Sequence, residues 1–294
     1  MSLRRHVVTT AHGEISYLER GGGPMALFVH GVLMNGHLWD GTTERLSSLR
    51  RCVAVDLMGH GETRVPSEQD LSLAAQAAML AGLLDALGEQ AVDLVANDSG
   101  GAVAQIFAAR HPHRVRTMTL TNCDVHDNLF PPAVVPLFDL IRAGRLLDLG
   151  RSMLDDTDRA RAFFASTLER PRDLTDDTIH RFLVPLVRNE EADRCIARWM
   201  DAFTPADLLA IEPLLGGITA PTLIVWATGD VFFDVSWAHW LQRRVPGAVD
   251  VVEVPGARLF FPLERPELLA DQIAGLWMSA DDRLPAGSSE SRSR

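Results

Sequence analysis

Short apolar segments alternate with longer amphipathic ones along most of this chain, and this alternation limits the folds it can adopt. The short segments are rich in β-branched residues, as in strands, and the longer ones place apolar residues at helical spacing. The eight predicted strands are RHVVTT, EISYLE, MALFVH, CVAVDL, AVDLVA, RTMTLT, TLIVWA and VDVVEV. The third and seventh are almost continuously apolar, which is typical of strands buried on both faces of a sheet. The pattern predicts an α/β fold with a doubly wound, mostly parallel eight-stranded sheet.

The alternation stops after the sixth predicted strand. Residues 128–217 are helical in pattern throughout, which predicts a helical cap, or lid, over the carboxyl ends of the strands. Residues 1–127 and 218–279 then form the core that carries the sheet. The last segment, 280–294, is small and polar and is expected to be a disordered tail.

Charge and cysteine content restrict the expected partners. The chain has 294 residues, a net charge of −11 and three widely spaced cysteines, Cys52, Cys123 and Cys195. An acidic surface disfavours nucleic acid and anionic membranes, and so few cysteines suit a reducing compartment. No apolar run is long enough to span a bilayer, and no cysteine pair has metal-ligand spacing. We therefore expect a cytoplasmic protein that acts on a small-molecule substrate without a cofactor or metal, and a homodimer stays open.

The segment LVANDSGGAVAQ, residues 94–105, has the pattern of a sharp turn between a strand and a helix that presents a nucleophile. Such a turn needs small residues two positions before and after its apex, because larger side chains would clash. With Asp98 at the apex those residues are Ala96 and Gly100. With Ser99 at the apex the first of them is the bulkier Asn97. The pattern favours Asp98, and a glycine-rich turn without chemistry is the alternative.

Four further segments extend this pattern along the chain. LFVHGVLMNGHLW resembles the His-Gly loop of α/β-hydrolase-fold enzymes, and DLMGHGET, WATGD and VPGARLFFPLERPELL resemble their later loops in the same order. An aspartate at the elbow resembles the branch that holds haloalkane dehalogenases, fluoroacetate dehalogenases and epoxide hydrolases. The resemblance implies that Asp98 attacks carbon and forms an ester, which a histidine-activated water hydrolyses. It also implies an oxyanion hole formed by the backbone N–H groups of Val32 and Ser99.

The family histidine is missing from its expected place. The resemblance puts it after the last strand, where this chain has Leu259, which cannot accept a proton. Asp230 matches the acid that orients and charge-stabilises this histidine, with a helix N-cap or a solvated loop acid as the alternative. Arg258 could hold Asp98 ionised or could be a surface arginine.

Other histidines are candidates for the missing base. His126 follows the sixth strand, and Asp124 beside it matches an alternative acid position of the branch, so an Asp124–His126–water relay is one hypothesis. A solvent-facing loop histidine is the alternative. His30 in the His-Gly loop could border the pocket, although a role in holding the loop by hydrogen bonds is favoured. His37 could also border the pocket or could cap its helix.

The resemblance leaves the substrate open because each named activity lacks a part. Ser99 stands where haloalkane dehalogenases have tryptophan and fluoroacetate dehalogenases have arginine, and Val32 stands where the former often have asparagine. The lid tyrosines of epoxide hydrolases are absent, since the single tyrosine, Tyr17, lies in the second strand. Apolar residues of the neighbouring loops, Leu33 and Phe232 among them, predict an apolar pocket or a contact that pins the lid.

Three functions remain from these residues. The first is a hydrolase with an atypical triad, whose Asp98 attacks a small apolar epoxide, halide, lactone or ester. The second is a non-hydrolytic cyclase, isomerase or lyase of natural-product metabolism that uses Asp98 as a base, which the leucine at 259 favours. The third is a catalytically silent relative that binds a ligand in the lid pocket.

Overall fold

The computed structural model describes residues 2–129 and 131–283. Its centre is one eight-stranded sheet with the order β1-β2-β4-β3-β5-β6-β7-β8. The strands are β1 (Arg4–Thr10), β2 (Gly13–Arg20), β3 (Met25–Val29), β4 (Arg51–Val55), β5 (Val92–Asp98), β6 (Val115–Cys123), β7 (Thr222–Ala227) and β8 (Ala248–Val254). β2 runs antiparallel to both β1 and β4. The other neighbouring strands of the sheet, in the spatial order β4, β3, β5, β6, β7 and β8, are parallel. The predicted fold class is confirmed, and each of the eight predicted strands is present.

Helices cover the sheet because its central strands are apolar on both faces. Every residue of β3, β5 and β7 is buried, whereas β1 at one edge is largely exposed and β8 at the other edge is partly exposed. The helices of this part are α1 (Asp40–Leu46), α2 (Leu73–Ala86), α3 (Ser99–Arg110), α10 (Ser236–Arg244), α11 (Phe261–Glu264) and α12 (Pro266–Asp281). α2 packs against α3, and α1 packs against α12. Parallel strands with this order bring the loops after β3, β5, β6 and β7 to one edge of the sheet, where such folds place their ligands.

The chain between β6 and β7 is helical. It contains α4 (Val135–Arg142), α5 (Leu146–Asp155), α6 (Thr157–Phe163), α7 (Asp176–Leu186), α8 (Glu190–Ala202) and α9 (Pro205–Ile211), together with short 3-10 turns. We call residues 132–217 the helical segment. Its apolar residues join the same buried cluster as those of the sheet, so it packs on the core as part of one hydrophobic interior.

Ion pairs fasten the helical segment to the loops beneath it. Arg181 in α7 lies 3.0 Å from the Asp40 carboxylate, and Arg188 lies 2.7 Å from that of Glu62. The backbone N–H of Ala74 in α2 donates to Asp207 in α9 at 3.2 Å. Exposed pairs of this kind contribute little each, so burial of the apolar faces supplies most of the attachment.

The last helix runs past the predicted boundary between the core and the tail. α12 continues to Asp281, two residues into the predicted tail, where the end of the helix has a partner. The guanidinium of Arg50 contacts the Asp281 carboxylate at 2.8 Å and lies over the ring of Trp277. Residues 284–294, the rest of the predicted tail, lie outside the described residues. Over the described ranges, no helix is both long and apolar enough to cross a membrane.

Candidate active site

Asp98 occupies the apex of the turn between β5 and α3. It has φ of 57° and ψ of −137°, a left-handed conformation that is uncommon for a residue with a side chain. Backbone strain of this kind concentrates at functional sites. The flanking residues are small for a steric reason, because a Cβ on Gly100 would lie 2.3 Å from the carbonyl oxygen of His30. The turn therefore holds the Asp98 side chain, which is 4% exposed, at the carboxyl edge of the sheet.

Two backbone N–H groups hold the carboxylate of Asp98. The N–H of Val32, in the loop after β3, donates to Oδ2 at 2.9 Å, and the N–H of Ser99 donates to the same carboxylate. The loop comes close enough because residue 31 is glycine, since a Cβ there would lie 2.1 Å from Oδ2. The two N–H groups that sequence analysis assigned to an oxyanion hole thus bind an oxygen of Asp98 itself.

The environment of Asp98 favours its protonated form. Burial raises the pKa of this carboxyl to about 7, and the carboxylate of Asp230 acts in the same direction. The N–H groups of Val32 and Ser99 oppose the rise because they stabilise the anion. A group with a pKa near neutrality can be both ionised and protonated under ordinary conditions, which suits a nucleophile or a base.

Asp230 lies in the loop after β7 and is held by three donors. Its carboxylate accepts from the side-chain amide of Asn122 at 2.8 Å and from the backbone N–H of Phe232 at 2.8 Å, with that of Phe233 close by. Burial nevertheless raises the pKa of Asp230 to about 6. Asp230 does not line the cavity described below, so it acts on Asp98 only through its charge.

Leu259 lies beside the elbow, at the place where the resemblance puts a histidine. The side-chain amide of Asn97 donates to its carbonyl oxygen at 3.0 Å, and its own side chain lines the cavity. The neighbouring residues join this loop to the helical segment. The backbone N–H of Phe260 donates to the carbonyl of Thr167 at 3.0 Å. The Arg258 guanidinium donates to the carbonyl of Ala165, so Arg258 serves this contact and is not a cavity residue.

The structure separates the two members of the relay suggested after β6. Asp124 lines the cavity and is 5% exposed. His126 has φ of 57° and is not among the residues that line the cavity. The ring stacks on Trp240 with centroids 5.1 Å apart, and its Nδ1 lies 3.1 Å from the Glu212 carboxylate. The prediction of His126 as a member of an Asp124–His126–water relay is therefore corrected.

His30 and His37 are not among the residues that line the cavity, so the alternative in which they border the pocket is corrected and the loop-holding role favoured for His30 fits its contacts. His30 is fully buried beneath the loop, where its Nδ1 donates to the carbonyl of Gly31 and its Nε2 accepts from the N–H of Leu57. Burial lowers the pKa of His30, consistent with this neutral tautomer. The Nδ1 of His37 contacts the Asp40 carboxylate at 2.9 Å. Both histidines hold loops in place.

A cavity of about 150 Å³ lies between the elbow and the helical segment. Cavities of this order accommodate a molecule about the size of benzene. Its lining is mainly apolar, and both Leu33 and Phe232 belong to it, as the sequence pattern indicated. The core contributes Val32, Leu33, Asp98, Ser99, Asp124, Phe232, Phe233, Leu259 and Phe260, and the segment from 131 onward contributes Pro131, Ala133, Val134, Leu137, Phe138, Phe163, Phe164, Ser166, Thr167 and Trp199. The site therefore presents a carboxylate to a small apolar molecule.

Comparison with known proteins agrees with this architecture. The family model described as the alpha/beta hydrolase fold matches residues 26–265. This chain belongs to the alpha/beta hydrolase fold family. A haloalkane dehalogenase of Mycobacterium bovis is 26% identical to it over 276 residues, which cover 90% of this chain and 91% of the relative. A pimeloyl-[acyl-carrier protein] methyl ester esterase of Neisseria meningitidis is 30% identical over 232 residues, covering 76% and 81%.

Solved structures of this family resemble the chain over almost its whole length. The ligand-free structure of the epoxide hydrolase CorEH superposes with a TM-score of 0.79 at 17% identity, covering 95% of this chain and 99% of the other. A structural likeness at that identity supports the hydrolase fold. The relatives are a dehalogenase and an esterase, so the family alone does not choose between carbon and acyl substrates.

Two polar atoms in this hydrolase-fold cavity have no hydrogen-bond partner among the described residues. They are the Oγ of Ser99, next to Asp98, and the Nε1 of Trp199, in α8. Trp199 is fully buried, and its ring makes an edge contact with His60 and packs on Phe203. Nothing in the sequence around Trp199 marks it as a cavity residue, because its helical pattern resembles that of any packed residue of the segment. A buried donor without a partner calls for an explanation, and a bound molecule would supply one.

Proposed function

We propose that this protein is a hydrolase whose Asp98 attacks an electrophilic carbon of a small apolar substrate and forms an aspartyl ester. The observation that carries the proposal is the position of Asp98, whose Oδ2 accepts the Val32 N–H at the apex of the strained turn. Attack by the carboxylate breaks the bond from carbon to the leaving group, and the electron pair leaves with that group. A halide or the oxygen of an epoxide fits this role.

The occupied pair of N–H groups favours saturated carbon over acyl substrates. In hydrolysis of an ester or lactone, the substrate's own carbonyl oxygen has to enter an oxyanion hole. Here Asp98 already fills the groups of Val32 and Ser99. When the carboxylate becomes an ester, the same N–H groups bind the ester carbonyl and stabilise the oxyanion that develops there. Halides and epoxides are thus the preferred substrates, and lactones and esters are less suited.

The partnerless donors support the same substrate class. The developing halide or alkoxide needs hydrogen bonds in a cavity that excludes water. The hydroxyl of Ser99 and the indole N–H of Trp199 are the buried donors left for it among the described residues. The helical segment carries Trp199, so in this proposal it acts as a lid that completes the site.

Intact mass spectrometry tests the proposal directly. The protein is incubated with 1-bromobutane or with 1,2-epoxybutane, and the mass of the chain and of the peptide that carries Asp98 is followed. We expect a transient adduct on Asp98 with release of bromide or diol. The variant Asp98→Ala serves as the matched control, since labelling that persists in it comes from other nucleophiles such as Cys195. Absence of both adduct and product from a panel of small halides and epoxides would exclude the proposal.

A second function remains supported by one observation. Leu259 stands where hydrolysis needs a histidine, and the pKa of Asp98 is raised to about 7, which suits a general base. Asp98 would then take a proton from the substrate in an elimination, isomerisation or cyclisation. Water labelled with ¹⁸O separates the two, because ester hydrolysis puts the label into the Asp98 carboxylate and proton transfer does not.

A further inference from the structure

Two carboxyl groups line the same small cavity. Asp98 ends β5, and its partner in the neighbouring strand is Cys123, so Asp124 is the next residue along the adjacent strand end. Adjacent strands lie about 5 Å apart, which places the two aspartates at neighbouring points on the cavity wall. Both are buried, at 4% and 5% exposure, and the charges of both act on the thiol of Cys123 between them. They are the two acidic side chains of the lining among the described residues.

The second half of the proposed reaction needs a proton acceptor within the cavity. An aspartyl ester is cleaved by water, and water attacks efficiently only when a base takes its proton. Leu259 cannot do so. Both ring nitrogens of His30 are engaged beneath the loop, and the ring of His126 lies against Trp240. Asp230 stands outside the lining.

We propose that Asp124 is the general base that activates water for cleavage of the Asp98 ester. This inference rests on the proposed function and adds a catalytic residue to it. Alkylation turns Asp98 into a neutral ester, so Asp124 is then the remaining carboxyl group of the cavity lining among the described residues. It is the group of the lining that can accept the proton of water.

The atoms of the step balance without a further reactant. The water oxygen bonds to the ester carbonyl carbon, and one of its protons passes to Asp124. The oxyanion that forms accepts hydrogen bonds from the N–H groups of Val32 and Ser99. The bond from that carbon to the ester oxygen, which came from the Asp98 carboxylate and carries the alkyl group, then breaks, and the departing alkoxide takes the proton from Asp124. Asp98 is left as a carboxylic acid that carries the water oxygen, and it loses its proton to solvent. The product is an alcohol.

The test compares alkylation with ester cleavage in the variant Asp124→Asn. Both proteins are mixed with 1-bromobutane, the excess is removed, and loss of the adduct is followed by intact mass while product is measured. We expect the variant to form the ester and to clear it roughly 10²- to 10⁴-fold more slowly, the range for removal of a general base. The matched control is His126→Asn, which lies outside the cavity and should clear the ester at the wild-type rate. Thermal unfolding of both variants is measured to check that they fold.

A second variant separates catalysis from structure. Asp124→Ser leaves room beside the ester, and formate at millimolar concentrations should restore clearance in proportion to its concentration, which a purely structural defect would not allow. Clearance by Asp124→Asn at the wild-type rate would overturn the inference while adduct formation upholds the proposed function. An ester that is not cleared by the wild-type protein would likewise overturn the inference about Asp124 while upholding attack by Asp98. Absence of any adduct or product would remove both.

Discussion

The side-chain amide of Asn97 donates to the carbonyl oxygen of Leu259 at 3.0 Å, although the two residues are 162 positions apart in the chain. This bond fixes the loop after β8 against the residue that precedes the elbow. Because Leu259 also lines the cavity, its leucine side chain occupies the wall next to Asp98. Leu259, which stands where the family resemblance puts a histidine, therefore forms part of the wall of the candidate active site.

The first prediction follows from that contact. In the background Asp124→Asn, the substitution Leu259→His should restore clearance of the Asp98 ester, because an imidazole beside the elbow can take the proton of water. We expect clearance at least about tenfold faster than in Asp124→Asn alone, measured by intact mass after a pulse of 1-bromobutane. Leu263→His is the matched control, since residue 263 lies in α11, directly after the loop, and outside the cavity lining. Equal rates for the two double variants would refute the prediction.

The second prediction concerns pH. The pKa of Asp98 is about 7, and in the proposed reaction its ionised form is the nucleophile. Alkylation by 1-bromobutane should therefore become about tenfold faster between pH 6 and pH 8 as the carboxylate forms. The initial rate of adduct formation gives the profile, after subtraction of the Asp98→Ala signal. A rate independent of pH over this range would show that the carboxyl is ionised throughout.

The third prediction concerns stability. Folding raises the pKa of Asp98 from its ordinary value of 3.8 to about 7, so the folded state binds the proton more tightly than the unfolded state. The Asp98 carboxyl therefore lowers the free energy of unfolding as the pH rises from about 4 to about 7. The variant Asp98→Asn should be stabilised relative to wild type by roughly 2 kcal/mol more at pH 8 than at pH 5. Urea unfolding at the two pH values measures this, and a difference that is the same at both would contradict it.

The fold was predictable because its signals are local, whereas the site depends on distant partners. Continuous apolar runs marked β3 and β7, and the small residues around Asp98 indicated the turn. The orientation of His126 depends on Glu212 and Trp240, which lie far along the chain, so its sequence neighbour Asp124 was a poor guide to it.

The positions of residues in the cavity wall also depend on partners that are distant in the chain. Trp199 resembles an ordinary core tryptophan in α8, and only the packing of the helical segment on the elbow brings it to the cavity. The burial of His30 was foreseen as one of two possibilities, because a loop histidine can either face a pocket or hold the loop. The hydrogen bonds to Gly31 and Leu57 decide between them.

The fourth prediction tests the close approach of the loop to Asp98. In Gly31→Ala the new Cβ would lie 2.1 Å from Oδ2 of Asp98, so the carboxylate or the loop must shift. We expect the alkylation rate to fall by at least about 10²-fold, since small displacements of a positioned group have effects of that size, and a destabilisation of about 1–3 kcal/mol. Gly22→Ala is the control, because a Cβ there meets nothing within 4 Å. Wild-type alkylation in Gly31→Ala would show that the Val32 contact is dispensable.

The fifth prediction concerns the buried donor of the helical segment. Trp199→Phe removes an N–H that has no partner among the described residues, so the free protein should lose little stability. Alkylation by halides and epoxides should slow about 10- to 10²-fold, because the leaving group loses a hydrogen bond. Trp39→Phe is the matched control, since its N–H is equally buried without a partner but lies away from the cavity. Equal alkylation rates in the two variants would remove Trp199 from the reaction.

The hydrogen bonds from Phe260 to Thr167 and from Arg258 to Ala165 join the loop of Leu259 to the helical segment. The loop beside Asp98 and this part of the helical segment are thus held together. A displacement of the helical segment at residues 165–167 would move residue 259 with it and change the shape of the cavity next to the carboxylate. A histidine introduced at residue 259 would therefore be positioned in part by contacts with residues 165 and 167, which are remote from it in sequence.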